Sequence, residues 1–273
     1  MPLLTFEILG LFLLLGALAG FIAGLFGIGG GVILVPLFLW VFKVAGFPSD
    51  LIVHMAFGTS LAIIVPTAFS STLGHRKRGN VDWHQVLYLA LAAMFGAFGG
   101  AMAAVNLPGE VLKALFGVMQ VGVGLKMLLY RPHLPPEERK GVAFWKFFLV
   151  GGCGGFFSAF FGVGGGIVAV PLMVILLRLP IHLAIGNSSA LVVVSSLWGT
   201  LCYLFLGRSE AHLPPFSLGY VNLLVAVLVA PLTMIFARIG ARVASHTRHD
   251  RLMKIFAVFL IFIGLRIAYN VWF

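Results

Sequence analysis

Charge is what this sequence has least of. Of its 273 residues only 10% are Asp, Glu, Lys or Arg, against about 25% in an ordinary soluble domain. The shortage is concentrated, because 51–75, 147–177, 179–207 and 211–237 contain none of the four. Each run can hold the roughly 20 apolar residues that carry a helix across a bilayer. That distribution excludes a soluble globular fold. Pro and Gly interrupt the runs, which argues against the strands of about ten alternating residues that build a membrane β-barrel. Cysteine is scarce as well. Cys153 and Cys202 both lie in apolar runs and read as small core residues, not as a disulfide or redox pair.

Other absences narrow the function. The chain has no HExxH, GxSxG or GxxxxGK(S/T) motif and no Cys/His cluster, so no metal and no cofactor is expected and no enzyme class is signalled. No acidic residue lies deep in an apolar run, which argues against a pump or cation site built from buried carboxylates. No Lys or Arg precedes Lys43 and Glu7 is acidic, so the basic n-region of a signal peptide is missing. The first apolar run is therefore expected to stay in the mature protein.

What is present is hydrophobic residue, 61% of the chain, with a mean hydropathy of +1.10. The net charge of +10 fits basic cytoplasmic loops better than a nucleic-acid partner.

The sequence repeats itself. Gly27-Ile28-Gly29-Gly30-Gly31, followed by Val35-Pro36, recurs as Gly162-Val163-Gly164-Gly165-Gly166, followed by Val170-Pro171. His54, Ala56, Gly58, Thr59 and Ser60 recur as His182, Ala184, Gly186, Asn187 and Ser188. Val81-Asp82 matches Val221-Asn222, and Gly100, Glu110, Leu112, Phe116 and Gly124 match Gly240, Asp250, Leu252, Phe256 and Gly264. The order of the blocks is preserved. The chain thus divides into a first transmembrane repeat at 1–132, a polar linker at 133–142 and a second repeat at 143–273.

Five helical segments are expected per half: near 6–26, 31–43, 51–73, 84–105 and 109–130, then near 144–161, 166–178, 181–206, 217–238 and 251–272. The second of each set is too short to cross unaided at 1.5 Å per residue and is expected to be broken or re-entrant. With this count the basic loops 74–83, 131–146 and 238–254 all fall on one side, the cytoplasmic one. An odd number of crossings per half turns the second repeat over. The expected fold is an all-α polytopic membrane protein made of two inverted-topology repeats, a plan used by secondary transporters that alternate access around a midplane site.

The candidate site follows from the paired glycine motifs. Glycine lets a helix break and brings backbone N–H groups close to a ligand. The helix that follows begins with unpaired donors and a partial positive charge. Gly29, Gly30 and Gly31, with Gly164, Gly165 and Gly166, would make an anion site that needs no Lys or Arg. Gly16, Gly20 and Gly24, and Gly96 with Gly100, are spaced for helix packing instead. Thr59, Ser60, Asn187, Ser188 and Ser189 can donate hydrogen bonds to oxyanion oxygens, or bond within their own helices. His54 and His182 are candidates to carry a coupled proton. Asp82, Asn222, Glu110 and Asp250 stand at helix starts, where capping explains them.

With GxGGGxxxxP at Gly27–Pro36 and again at Gly162–Pro171, and Gly-Thr-Ser and Gly-Asn-Ser behind them, the chain resembles the TauE/SafE family of sulfite-exporter-like permeases. The resemblance covers essentially the whole chain. It implies a multi-pass protein of a bacterial-type inner membrane that moves sulfite, a sulfonate such as sulfoacetate, or thiosulfate. Two rival readings are a membrane-embedded hydrolase using Ser188 or Ser189, and a scaffold subunit without transport. The first lacks a base, since His182 lies about 9 Å from Ser188 along a helix axis. The second has no need of two matched helix breaks. Partners are a small sulfur anion and lipid, with no nucleic acid.

Overall fold

The structure, a computed structural model, describes residues 6–26, 30–129, 143–245 and 249–272. Among the described residues ten helices follow one another: α1 (Phe6–Phe26), α2 (Gly31–Val44), α3 (Ile52–Lys77), α4 (Trp83–Val105), α5 (Gly109–Leu129), α6 (Phe144–Phe161), α7 (Gly166–Leu176), α8 (Ile181–Leu206), α9 (Leu223–Ser245) and α10 (His249–Trp272). Among the described residues seven helices are long and apolar enough to cross a membrane, while α2 and α7 are shorter apolar helices. The outer surface is correspondingly apolar, with Phe95 at 77% and Val227 at 69% exposure. This is a multi-pass, all-α membrane protein.

One expected segment begins late. The stretch from 217 forms a two-residue hairpin, β1 (Ser217–Leu218) and β2 (Val221–Asn222), before α9 starts at Leu223. The turn is forced by positive φ at Phe216 (61°) and Gly219 (56°), a region that stops a right-handed helix. Asn222 then caps α9, its Oδ1 accepting from the Val225 N–H at 3.0 Å. Asp82 does the same for α4, accepting from the Gln85 N–H at 3.3 Å.

Helix packing pairs the halves. α1 lies on α9, α6 on α4, α5 on α10 and α3 on α8. Glycine sets the register in each case, because missing side chains let backbones touch. A β-carbon on Gly16 would press on Val229, and one on Gly20 would stand 2.6 Å from the Thr233 Cα. Under the repeat alignment these pairs become Gly151 on Leu89 and Gly155 on Ala93, and both contacts exist. The α1–α9 and α4–α6 seams are therefore one interface used twice. Gly24 on Ala237, and Gly96 and Gly100 on the α6 backbone, complete the packing roles expected of them.

The two helices of the α3–α8 pair run antiparallel, with Leu61 beside Gly199 and Ser71 bonded to Ser189 at 3.3 Å. α5 and α10 are also antiparallel, with Gly117 on Gly264 and Gly124 on Ile261. Contacts at one end of the bundle include Arg238 to Ser70 at 3.2 Å, Gly186 on Asn80, and Tyr88 stacked edge-on against Phe144 at 4.7 Å. Arg76–Arg78, Lys146 and Arg238 accordingly share that end. At the other end Tyr220 packs on His54 and donates its hydroxyl to Glu210 at 2.7 Å. Burial, then that bond and the nearby Glu210 and Asp50 charges, push the Tyr220 phenol above its ordinary pKa.

Candidate functional site

The glycine motifs meet in the middle of the bundle. α6 ends at Phe161, and Gly162 follows in the left-handed region at φ 68°, its N–H returning to the Ser158 carbonyl. Gly164 and Gly165 continue at φ 83° and 76°, and α7 begins at Gly166. In the first half Gly30, at φ 79°, precedes α2 in the same way. Gly29 lies outside the described residues. A left-handed conformation costs an L-residue with a side chain roughly 1–2 kcal/mol, so this backbone path belongs to glycine.

The two breaks touch. A β-carbon on Gly31 would stand 2.5 Å from the Val163 Cα and 2.7 Å from the Ile64 side chain. One on Gly164 would meet Val192 and Ile64, the corresponding residues of α3 and α8. Ile64 and Val192 lie near the midpoints of two helices of 26 residues each. The chain thus breaks its helix twice at the level of these midpoints, and each break starts a new helix. Neither Gly30 nor Gly165 provides a side-chain cap. Buried helix starts without caps are uncommon, because the first-turn donors need partners. A cavity of about 10 Å³ lies beside Gly30, between Ala23, Leu34 and Ile64, room for about one water.

Pro36 adds a second irregularity. It has no N–H, so the Val32 carbonyl loses its intrahelical partner. Gln120 of α5 replaces it, donating Nε2 to the Val32 oxygen at 2.8 Å. Gln120 is fully buried and its Oε1 has no partner.

The (Gly58/Gly186)-(Thr59/Asn187) pairs serve a different junction. Thr59 Oγ1 accepts from the Asn222 N–H at 3.0 Å, and Asn187 Oδ1 accepts from the Asp82 N–H at 2.8 Å. Asn222 and Asp82 correspond under the repeat, as do Thr59 and Asn187. Gly58 lies under the Tyr220 carbonyl and Gly186 under that of Asn80, again equivalent positions. Each half therefore grips the loop that opens the other half's fourth helix, α4 or α9. Asn187 also donates Nδ2 to Gln85 at 2.9 Å. These polar groups have internal partners, and so does Ser189, which donates to the Ile185 carbonyl at 3.0 Å.

The remaining expected residues divide. Ser188 Oγ lies 3.5 Å from where a Gly166 β-carbon would be, at the start of α7. Ser60 is fully buried with no hydrogen-bond partner for its hydroxyl. His54 is buried at the Tyr220 end, with Nε2 3.2 Å from the Ala104 carbonyl, whereas His182 is exposed. The two histidines are equivalent in sequence but not in surroundings.

Three hydroxyls not anticipated surround the second glycine loop. Ser195 donates to the Gly164 carbonyl at 3.4 Å. Ser196 Oγ lies 3.5 Å from the Gly164 β-carbon position, and Ser158 Cβ lies 3.0 Å from that of Gly165. Only the three-dimensional meeting of α6, α7 and α8 singles them out from other small residues of apolar helices. Among the described residues no group of three His, Cys, Asp or Glu side chains is placed to hold a metal.

The model of the sulfite exporter TauE/SafE family matches residues 12–267. A probable membrane transporter protein of Haemophilus influenzae is 31% identical over 95% of this chain and 98% of its own length. Proteins of the same description from Methanocaldococcus jannaschii (27% identical over 92% of this chain and 93% of its own) and Bacillus subtilis (26% over 94% and 96%) are also similar.

Proposed function

This chain belongs to the sulfite exporter TauE/SafE family, and from that premise we propose that it is a permease for a small sulfur-containing anion. Sulfite, thiosulfate and a sulfonate such as sulfoacetate are the candidates. The observation that carries the reading is the contact of two uncapped, glycine-broken helix starts, Gly31 against Val163, at the mid-depth of α3 and α8. The N-termini of α2 and α7 would offer backbone donors and two positive dipole ends to one anion. No charged side chain is required, so no ion pair has to be broken for the anion to leave.

The mechanism is alternating access between two inverted repeats, 1–132 and 143–273. Support comes from the antiparallel course of the equivalent helices α3 and α8, and of α5 and α10. A two-fold axis along the membrane normal would make such pairs parallel; an axis in the membrane plane makes them antiparallel. The shared end of Arg76–Arg78, Lys146 and Arg238 would face the cytoplasm of a bacterial-type cell. The seams α1–α9 and α4–α6 join one half to the other through close glycine contacts, and motion of one half against the other would have to be accommodated there.

The test is uptake of ³⁵S-labelled sulfite, thiosulfate and sulfoacetate into proteoliposomes. Wild-type protein is expected to move at least one of them, and Gly30→Leu or Gly165→Leu to abolish that flux. Wild-type rates in both variants would remove the glycine breaks from the mechanism.

A further inference from the structure

Under the proposed anion-permease reading, the two glycine breaks need not contribute equally. The first is bordered by Ala23, whose Cβ lies 3.3 Å from the β-carbon position of Gly30. The corresponding neighbour of Gly165 is Ser158. Ser196 of α8, beside Gly164, corresponds to Ala68 of α3. At these two positions the second break has hydroxyls and the first has methyl groups, and the hydroxyls that do lie beside Gly30, Thr67 and Thr233, already donate to the Ile63 and Ala230 carbonyls.

Both hydroxyls are unusual. Ser158 and Ser196 are 0% exposed and their Oγ atoms have no hydrogen-bond partner. Serines in apolar helices ordinarily bond back to a carbonyl one turn earlier, as Thr200 does to Ser196 at 2.7 Å. A buried hydroxyl without a partner is unfavourable. Two of them beside one uncapped start of an 11-residue helix are donors in want of an acceptor.

We infer that Ser158 and Ser196, with the first N–H groups of α7, form the principal anion subsite, and that it takes an oxyanion carrying no ammonium group. Two hydroxyls and a helix start supply donors to several oxygens of one sulfite, thiosulfate or sulfonate group. Among the described residues Asp and Glu occur only at helix starts and in loops, as Glu7, Asp50, Asp82, Glu110, Glu210 and Asp250. An aminosulfonate such as taurine would bring an ammonium to a place with no counter-charge, leaving its desolvation uncompensated.

Thermal melting of the full chain in detergent tests this separately from transport. Anaerobic titrations use sulfite, thiosulfate, sulfoacetate and taurine, since a ligand of the folded state raises Tm with concentration. Wild-type protein should respond to one of the first three and not to taurine. Ser158→Ala and Ser196→Ala should each weaken that response roughly tenfold or more, the worth of a hydrogen bond to a charged group. Their ligand-free Tm should hold or rise, because the lost hydroxyl had no partner; a merely structural serine would lower it. Ser158→Cys keeps the volume with a weaker donor and should fall between. Undiminished binding in both alanine variants would overturn the subsite while leaving the permease reading intact. Taurine binding as tight as that of sulfoacetate would overturn its selectivity. No response of folded wild-type protein to any oxyanion would overturn the permease reading and the subsite with it.

Discussion

Thr59 and Ser60 are neighbours on α3, both 0% exposed and both hydroxylated, yet the structure assigns them opposite effects on stability. Thr59 Oγ1 accepts the Asn222 N–H at 3.0 Å. Thr59→Val keeps the side chain's shape and removes the acceptor, so a buried backbone donor loses its partner. The expected loss is about 1–3 kcal/mol, which lowers Tm by roughly 2–10 °C in a chain of this size. Ser60→Ala removes a hydroxyl that has no partner. Its stability should stay within about 0.5 kcal/mol of wild type or rise. The second clamp provides a control. Asn187→Leu breaks bonds to both Asp82 and Gln85 and should cost more than Thr59→Val. The two clamps stand about 20 Å apart along α3 and α8 at 1.5 Å per residue, so their costs should add. The assay is ligand-free thermal unfolding in one detergent at one scan rate, followed by the intrinsic fluorescence of Trp198 and its companions. A Thr59→Val protein that melts with wild type, or a Ser60→Ala protein that loses as much, would refute the assignment.

Other outcomes follow from the same packing. Gly20→Val and Gly155→Val should both fail to accumulate or melt far below wild type, since each inserts carbon into an equivalent backbone contact. Gly10→Ala and Gly122→Ala meet open space and should stabilise by up to about 1 kcal/mol through helix propensity; yields and melting curves decide. Gln120→Leu leaves the Val32 carbonyl unpaired and should reduce anion flux in proteoliposomes more than Gln120→Glu, whose protonated form restores a donor. Cys153 and Cys202 are free, so reducing agent should leave Tm and uptake unchanged.

Much of the architecture was legible from periodic composition. Charge-free runs located the long helices, and the repeated glycine motif located both breaks. The capping role of Asn222 pointed to the α9 start, but the hairpin before it was not legible, because Phe216 to Val229 is one charge-free run and strands of two residues are too short to alternate visibly. α3 extends to Lys77, beyond the expected 73, since basic residues favour the negative end of a helix. At the site, the motif containing Thr59 and Asn187 announced its importance by recurring but not its job. Recurrence fits a ligand contact and an inter-repeat clamp equally well, and only the partners Asn222 and Asp82 distinguish them. Ser158 and Ser196 carried no signal at all, for they have alanine counterparts and their meaning lies in which glycines they adjoin.

The most direct measurement is the accessibility of a single cysteine at Ile64, between the two breaks, in a Cys153→Ala/Cys202→Ala background that retains uptake. Reconstituted protein is treated with membrane-impermeant thiol reagent from either side, with and without the transported anion. The account predicts slow labelling from both sides, with the anion protecting in each case. Labelling confined to one side under all conditions, or unaffected by the anion, would contradict a central site that is alternately exposed.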